Sequence, residues 1–421
     1  MKQLLPLAIP ASIVLLVLGC SQPPEAELRF EGEWPQWRGS TRDGHIAAEI
    51  SNALADAWPT DGVEASWRRK IGPGFSSVAV SQGRLLVLEA DGGAEWLIAL
   101  DAGTGQRLWR QRLGDRYESF HGDGPRSTPA ISGEVAVAMG ALGGLVAVSV
   151  TDGSILWQQD LLALARGDRE DWGFASSPLI DDGRVYVHGT EGVTALALDL
   201  AHGDVMWRLD SGPGGYASPL MAEIGGQRQL INFLGNGLYG LEPGTGDVLW
   251  RFDWSTYYDL HAADPIVLPS GEIYISSNYA TGAGLIELAV GESGLQPRLL
   301  WESRRIRNHW SSSVLVGETI FGFDMSFLIA VDTASGEILW KQRGFGEGSL
   351  LAAGEHLVVV GEDGNVALGR ASRDGWVELR QQEELVEGPV FASPVLVGGW
   401  LFLRGKDELA AFELAPALAE P

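Results

Sequence analysis

Five times along the chain a glycine is followed four residues later by a tryptophan: Gly105/Trp109, Gly153/Trp157, Gly203/Trp207, Gly246/Trp250 and Gly336/Trp340. Each pair closes a similar phrase: ALDAGTGQRLW, AVSVTDGSILW, ALALDLAHGDVMW, GLEPGTGDVLW and IAVDTASGEILW. Self-similarity at roughly 40–50 residues marks a solenoid or a propeller, in which each unit buries its faces against its neighbours.

Each repeat reads as a four-stranded antiparallel sheet. Within residues 173–210, SPLI opens the unit and RVYVHG follows the Asp181-Asp182-Gly183 turn. VTALALD comes third, and DVMWRLD follows the turn at Ala201-His202-Gly203. Asp, Asn and Gly supply the positive φ such hairpins require. A count of 56 glycines and 45% hydrophobic residues suits many short strands joined by tight turns. The repeat glycine sits in the last hairpin, where a left-handed residue forms a bulge and sets register. The tryptophan falls on the outer strand, where its ring covers the seam between sheets and its N–H finds a backbone carbonyl. The repeat tryptophans are therefore structural.

Outer strands count the blades. They carry Trp67, Trp109, Trp157, Trp207, Trp250, Trp301, Trp340 and Trp376. Two are irregular. Trp301, in PRLLWES, lies further from its turn at Gly294. Trp376 directly follows Gly375, so that Leu379 takes the usual ring position and the blade packs less tightly. The last repeat, ASPVLVGG, WLFLRG and ELAAFEL, has three strands and no outer tryptophan. ASWRRKI, around Trp67, is an outer strand with no inner three before it. The N-terminal strand is expected to complete the C-terminal sheet and close the ring, which removes exposed edges. The expected fold is all-β: an eight-bladed propeller over residues 62–414, with seven blades if the irregular unit is not a blade. One insertion, DLLALARGDRED at residues 160–171, resembles a short helical turn between blades.

The N-terminus reads as an address. Residues 1–20 are MKQLLPLAIPASIVLLVLGC, in which Lys2 precedes a short apolar run interrupted by Pro6 and Pro10. That suits a secretory signal better than a spanning helix. Its ending, Leu16-Val17-Leu18-Gly19-Cys20, resembles a bacterial lipobox. This implies lipidation of Cys20, the one cysteine in the chain, and Ser21 after it implies outer-membrane sorting. A plain transmembrane anchor, or a signal cleaved elsewhere, is the alternative. Residues 21–33 are polar and Pro-rich, as in a tether; 34–61 read as a strap on the ring and 415–421 as a tail. The formal net charge of −25 argues against nucleic acid as a partner and against direct contact with anionic lipid. Membrane attachment is then expected through the lipid anchor only.

The phrase A-x-D-x-x-T/S-G-x-x-x-W resembles the repeat of the quinoprotein-like (PQQ-like) propellers, which include pyrroloquinoline-quinone dehydrogenases and non-catalytic members. Lipobox and eight-bladed ring together are similar to the BamB-like bacterial lipoproteins. The leader Trp34-Pro35-Gln36-Trp37-Arg38-Gly39, with Arg42-Asp43-Gly44, also resembles a segment that precedes such propellers. The resemblance implies a non-enzymatic scaffold in the periplasm, without a cofactor. Its partners would be envelope proteins such as barrel-assembly subunits. The alternatives are a dehydrogenase using PQQ and Ca²⁺, or a propeller that binds a small molecule or glycan at the channel mouth. The quinone enzymes commonly place a disulfide of adjacent cysteines over the cofactor, and this chain has no cysteine after Cys20 and no CxxCH haem motif.

Polar and aromatic residues cluster in the loops that enter the inner strands. They are His121, Asp123 and Arg126 in FHGDGPRSTP, Trp172 in DWGFASSP, and Tyr216 in GGYASP. Further on come His261 and Asp264 in LHAADP, Asn308, His309 and Trp310 in RNHWSSS, and Phe391 in VFASP. Repeat logic places them on one face around the central opening. His121, Arg126, Trp172, Tyr216, His261, His309, Trp310 and Phe391 are the candidate binding face. No metal site is expected, because a ring holds the three histidines too far apart for ligation near 2 Å.

Overall fold

The computed structural model describes residues 30–46, 54, 58–59, 62–165, 172–291 and 294–414. The signal segment, Cys20, most of the tether, part of the strap and the tail lie outside the described residues. Eight four-stranded antiparallel sheets make the propeller. Blades 1 to 7 use consecutive strands within residues 79–115, 130–160, 179–209, 220–253, 266–303, 314–342 and 349–382. Blade 8 takes Val395–Val397, Trp400–Arg404 and Glu408–Glu413 from the C-terminus and Trp67–Lys70 from the N-terminus. Trp67 pairs with Ala411 and Lys70 with Glu408, so the two chain ends share one sheet. Among the described residues no helix is long and apolar enough to cross a membrane.

The glycine-to-tryptophan spacing works between blades. Gly105 has φ of 68°, and its N–H donates to Asp101 O at 2.8 Å, closing the turn. The strand after it carries a bulge, so Trp109 pairs with Ala99 while Arg107 pairs with Leu100. The same bulge recurs in blades 2 to 7. Each ring then lies on the next blade's turn. Trp67, Trp109, Trp157, Trp207 and Trp301 pack on Gly105, Gly153, Gly203, Gly246 and Gly336. Their indole N–H groups donate to Ala102, Val150, Leu200, Pro243 and Thr333 carbonyls at 2.7–3.0 Å.

Two rings depart from this pattern for a visible reason. Blade 5 replaces the glycine turn with a long hairpin, Gly282–Gly291 and Gly294–Ser303. Trp250 therefore has no neighbouring turn to cover. It packs on Gly240 of its own blade and donates to Gln229 Oε1 at 2.6 Å. Blade 8 has no covalent turn into its outer strand, because that strand comes from the other end of the chain. In blade 7 the residue opposite Leu368, where the tryptophan sits elsewhere, is Arg380. Leu379 lies in the bulge, which corrects the sequence expectation. Arg380 donates to Trp58 O at 3.4 Å, and Trp376 folds back on Gly369. Buried Leu54, Trp58 and Val63 fill the space where blade 8 lacks its turn. Gln382 holds them there, donating to Val63 O at 3.0 Å and accepting from Val63 N at 2.6 Å.

The inner strands are laced by side chains. Ser77 N donates to Thr128 Oγ1, Thr128 N to Ser177 Oγ, and Ser177 N to Ser218 Oγ. Ser218 N then donates to Asp264 Oδ1, and Asp264 N to Ser312 Oγ, all at 2.7–3.1 Å. This girdle explains the repeated S/T/D-P that opens the blades. Arg404 secures closure, donating from blade 8 to the carbonyls of Gly72, Ser76 and Leu88. Of the helical insertion expected at 160–171, residues 166–171 lie outside the described residues, and the rest forms the helix Leu161–Ala165, capped by Asp160 Oδ1, which accepts from Leu162 N at 3.0 Å.

Candidate functional site

The strap closes one mouth of the ring. Residues 30–46 run past the ends of the inner strands. Phe30 packs on Trp400 and Phe402 of blade 8, and Trp34 forms a bridge with Val80 of blade 1. Pro35 O accepts from Ile131 N in blade 2, and His45 bridges to Ala352 in blade 7. Two arginines reach from the strap into the ring. Arg42 donates to the carbonyls of Ser177 and Pro178 in blade 3, at 3.0 and 2.9 Å. Arg38 donates to Ser313 O at 2.6 Å and lies 3.7 Å from Asp264. Asp264 also accepts from Trp37 Nε1 at 2.6 Å. Burial holds both guanidinium groups below their ordinary pKa, Arg42 at about 10. Asp264 is thus the counter-charge of the plug.

The opposite mouth carries an aromatic collar. The loops entering the inner strands bring their rings into contact around the opening. His121 lies 5.9 Å from Trp172, which contacts Tyr216 at 5.9 Å and Tyr258 at 6.1 Å. Tyr258 meets Tyr279 at 5.1 Å, and Tyr279 meets His309 at 5.6 Å. His309 stacks on Trp310 at 3.7 Å, Trp310 meets Phe391, and Phe391 meets Phe75. Arg126 completes the circle, sandwiched between the rings of Phe75 and Tyr117.

Polar bonds fix these rings. His309 Nδ1 is 2.9 Å from Glu347 Oε2. A carboxylate only accepts, so Nδ1 carries a proton, and Nε2 lies 3.1 Å from the Tyr279 hydroxyl. Arg126 donates to the carbonyls of Gly122 and Gly124. The loop before it is pinned by an Arg116–Asp123 ion pair and by Glu95, which is buried. Glu95 accepts from Tyr117 N and Ala141 N, and burial raises its pKa.

Seven of the eight candidate residues share this face. His261 does not reach it. Its ring is fully buried, stacked on Phe233 at 4.0 Å, with Nε2 donating to Trp254 O and Nδ1 accepting from Ser277. Burial lowers its pKa to about 4. It is a core histidine that orders the loop, with its own carbonyl accepting from Ala217 N. The sequence reading missed Phe75, Tyr258 and Tyr279. Tyr279 sits in a hairpin within a blade, outside the loops that repeat logic selects.

Among the described residues no three His, Cys, Asp or Glu side chains are grouped to hold a metal. Calcium takes six or more oxygens, and the axial carboxylate, Asp264, is already committed to Ser218, Trp37 and Arg38.

The model of the family described as outer membrane protein assembly factor BamB matches residues 39–175, 94–342 and 324–415. The chain belongs to the BamB family. A relative from Burkholderia pseudomallei (strain K96243), named outer membrane protein assembly factor BamB, is 29% identical over 399 residues. That alignment spans 87% of this chain and 91% of the relative. Among solved structures, BamB from Moraxella catarrhalis superposes with a TM-score of 0.60 at 15% identity, over 83% of this chain and 99% of that one. A quinohemoprotein alcohol dehydrogenase, ADHIIG from Pseudomonas putida HK5, superposes equally well. Its TM-score is 0.61 at 12% identity, over 93% of this chain and 81% of that one. Both structural likenesses speak for the fold alone; membership of the BamB family rests on the sequence match.

Proposed function

We propose that this chain is a lipid-anchored, non-enzymatic scaffold of the bacterial outer membrane, standing in the periplasm and holding envelope proteins during outer-membrane protein assembly. The plugged channel carries this reading. Small-molecule sites occupy cavities and barrel mouths, whereas here Trp37, Arg38 and Arg42 fill the axis and are satisfied by the ring itself. What stays open is a rigid ring with an aromatic mouth, and aromatic residues on rigid loops are common anchors for protein partners. The Burkholderia relative's name, outer membrane protein assembly factor, supports the same process. In this reading residues 1–19 are removed, Cys20 becomes the first residue and carries the lipid, 21–33 tether the ring, and no cofactor is needed.

Affinity capture of the lipidated protein at native expression tests it. Recovery of barrel-assembly subunits is expected, and consistent recovery of no envelope protein would overturn the scaffold. Cys20→Ser should abolish labelling by a fatty-acid analogue. Dye reduction after supplying quinone and Ca²⁺ would overturn the non-enzymatic part.

A further inference from the structure

The collar is an exposed surface with a charge pattern of its own. Phe120 is fully exposed at its edge, Tyr257 is 85% exposed and Trp310 is 39% exposed. Rings of this size seldom stand in water on a rigid frame without an interaction role. At the blade 7 end of the collar, where Pro389 lies two residues before Phe391, is a hollow of about 470 Å³ lined by Gly346, Glu362, Asp363, Gly388 and Pro389. Glu362 accepts from Glu347 N at 3.3 Å, which ties the hollow to the His309 end of the collar. Neither Glu362 nor Asp363 forms an ion pair among the described residues, whereas three arginines of the collar loops are engaged. Arg116 is held by Asp123, Arg307 by Asp324, and Arg126 by two carbonyls and two rings.

We infer that the collar docks an extended segment of another polypeptide in which basic side chains alternate with aromatic or apolar ones. The basic side chain enters the hollow between Glu362 and Asp363, and its apolar neighbour lies on Trp310 and Phe391. Charge complementarity selects this occupant. An acidic segment would meet two unpaired carboxylates and a chain of net charge −25. Ring faces receive apolar side chains and, next to a carboxylate, guanidinium groups as well. A circle of rings also suits a segment laid across the mouth better than a small ligand. The inference rests on the scaffold reading for its biological setting, but not for its chemistry.

The test uses the full lipidated chain in nanodiscs and two synthetic peptides, one alternating arginine with tyrosine and one alternating glutamate with tyrosine. Binding is read by thermophoresis at two salt concentrations. The arginine peptide is expected to bind and to weaken with salt, and the glutamate peptide to be ignored. Glu362→Gln with Asp363→Asn, which keeps the acceptor for Glu347 N, should weaken the arginine peptide roughly tenfold. Trp310→Ala should weaken it too. Equal binding of both peptides, or of neither, overturns the inference, as does an undiminished affinity in the double variant. Capture of assembly partners with both peptides ignored would leave the scaffold standing and sink this inference. Arginine-peptide binding without any captured partner would do the reverse.

Discussion

The indole of Trp67, on the outer strand of blade 8, lies flat on Gly105, in the turn of blade 1. A Cβ added to the glycine would come within 2.6 Å of the ring, and the indole N–H donates to Ala102 O at 3.0 Å. The two residues are 38 positions apart in sequence, and their contact is where the ring closes. Gly105→Ala should therefore cost about 2–4 kcal/mol, from left-handed backbone strain plus overpacking. Gly133→Ala is the control. Its φ of 56° carries the same strain, but nothing lies within 4 Å of the added Cβ. Urea unfolding should show the larger loss for Gly105→Ala; equal losses would mean that the ring contact contributes nothing.

Asp264 holds the plug through three partners, and an amide can serve only part of that set. Asp264→Asn leaves Arg38 buried without its counter-charge. One side-chain position must also turn an NH₂ toward either Ser218 N or Trp37 Nε1. A loss of about 3–5 kcal/mol is expected for stranding a buried charge. Trypsin gives a local readout. Arg38 and Arg42 are buried in the wild type and should resist cleavage, whereas the variant should be cut there under native conditions. Continued protection would show that the remaining strap contacts suffice.

Gln382 stands in for the turn that blade 8 lacks. Its amide bonds both the N–H and the carbonyl of Val63, four residues before the closing strand. Gln382→Ala should cost about 1–3 kcal/mol through two orphaned backbone groups. Hydrogen exchange should quicken at Trp67–Lys70 and Glu408–Glu413 and stay slow at Arg84–Asp91. A uniform change across the ring would argue that Gln382 has no special part in closure.

What was legible in the sequence follows from what each feature depends on. Blade number and closure are set by local turn chemistry, which repeats, so Trp67 without inner strands and ELAAFEL without an outer one were enough to join the ends. The partner of each tryptophan was legible only as a seam, because the next blade's turn is named by three-dimensional stacking. The plug was not legible. Arg38 and Arg42 belong to the segment read as a strap on the ring, but that they enter its axis is decided only by the inner-strand carbonyls that receive them. His261 misled for a similar reason. LHAADP looks like the other polar loops, and only Phe233, from the blade before, decides that this ring is covered.

The buried histidines set an acid limit. His261 and His188 are both buried, with pKa values lowered to about 4 from an ordinary 6.5, chiefly by desolvation. His188 Nε2 donates to Asn232 Oδ1 at 2.9 Å, so it also enters the core as a neutral ring. Above pH 6.5 the rings are neutral in both folded and unfolded chains, and their contribution is fully present. As pH falls from about 6.5 toward 4 the unfolded chain takes up protons that the folded one refuses. Stability then drops by about 1.4 kcal/mol per pH unit for each histidine, or about 3 kcal/mol each over the whole window. Urea midpoints measured between pH 7 and 4 should fall accordingly. In a His188→Gln, His261→Gln variant, weaker at pH 7 from lost packing, the decline over that window should be shallower by the histidine share. An unchanged slope in the double variant would show that carboxylates elsewhere, and not these two rings, govern the acid response.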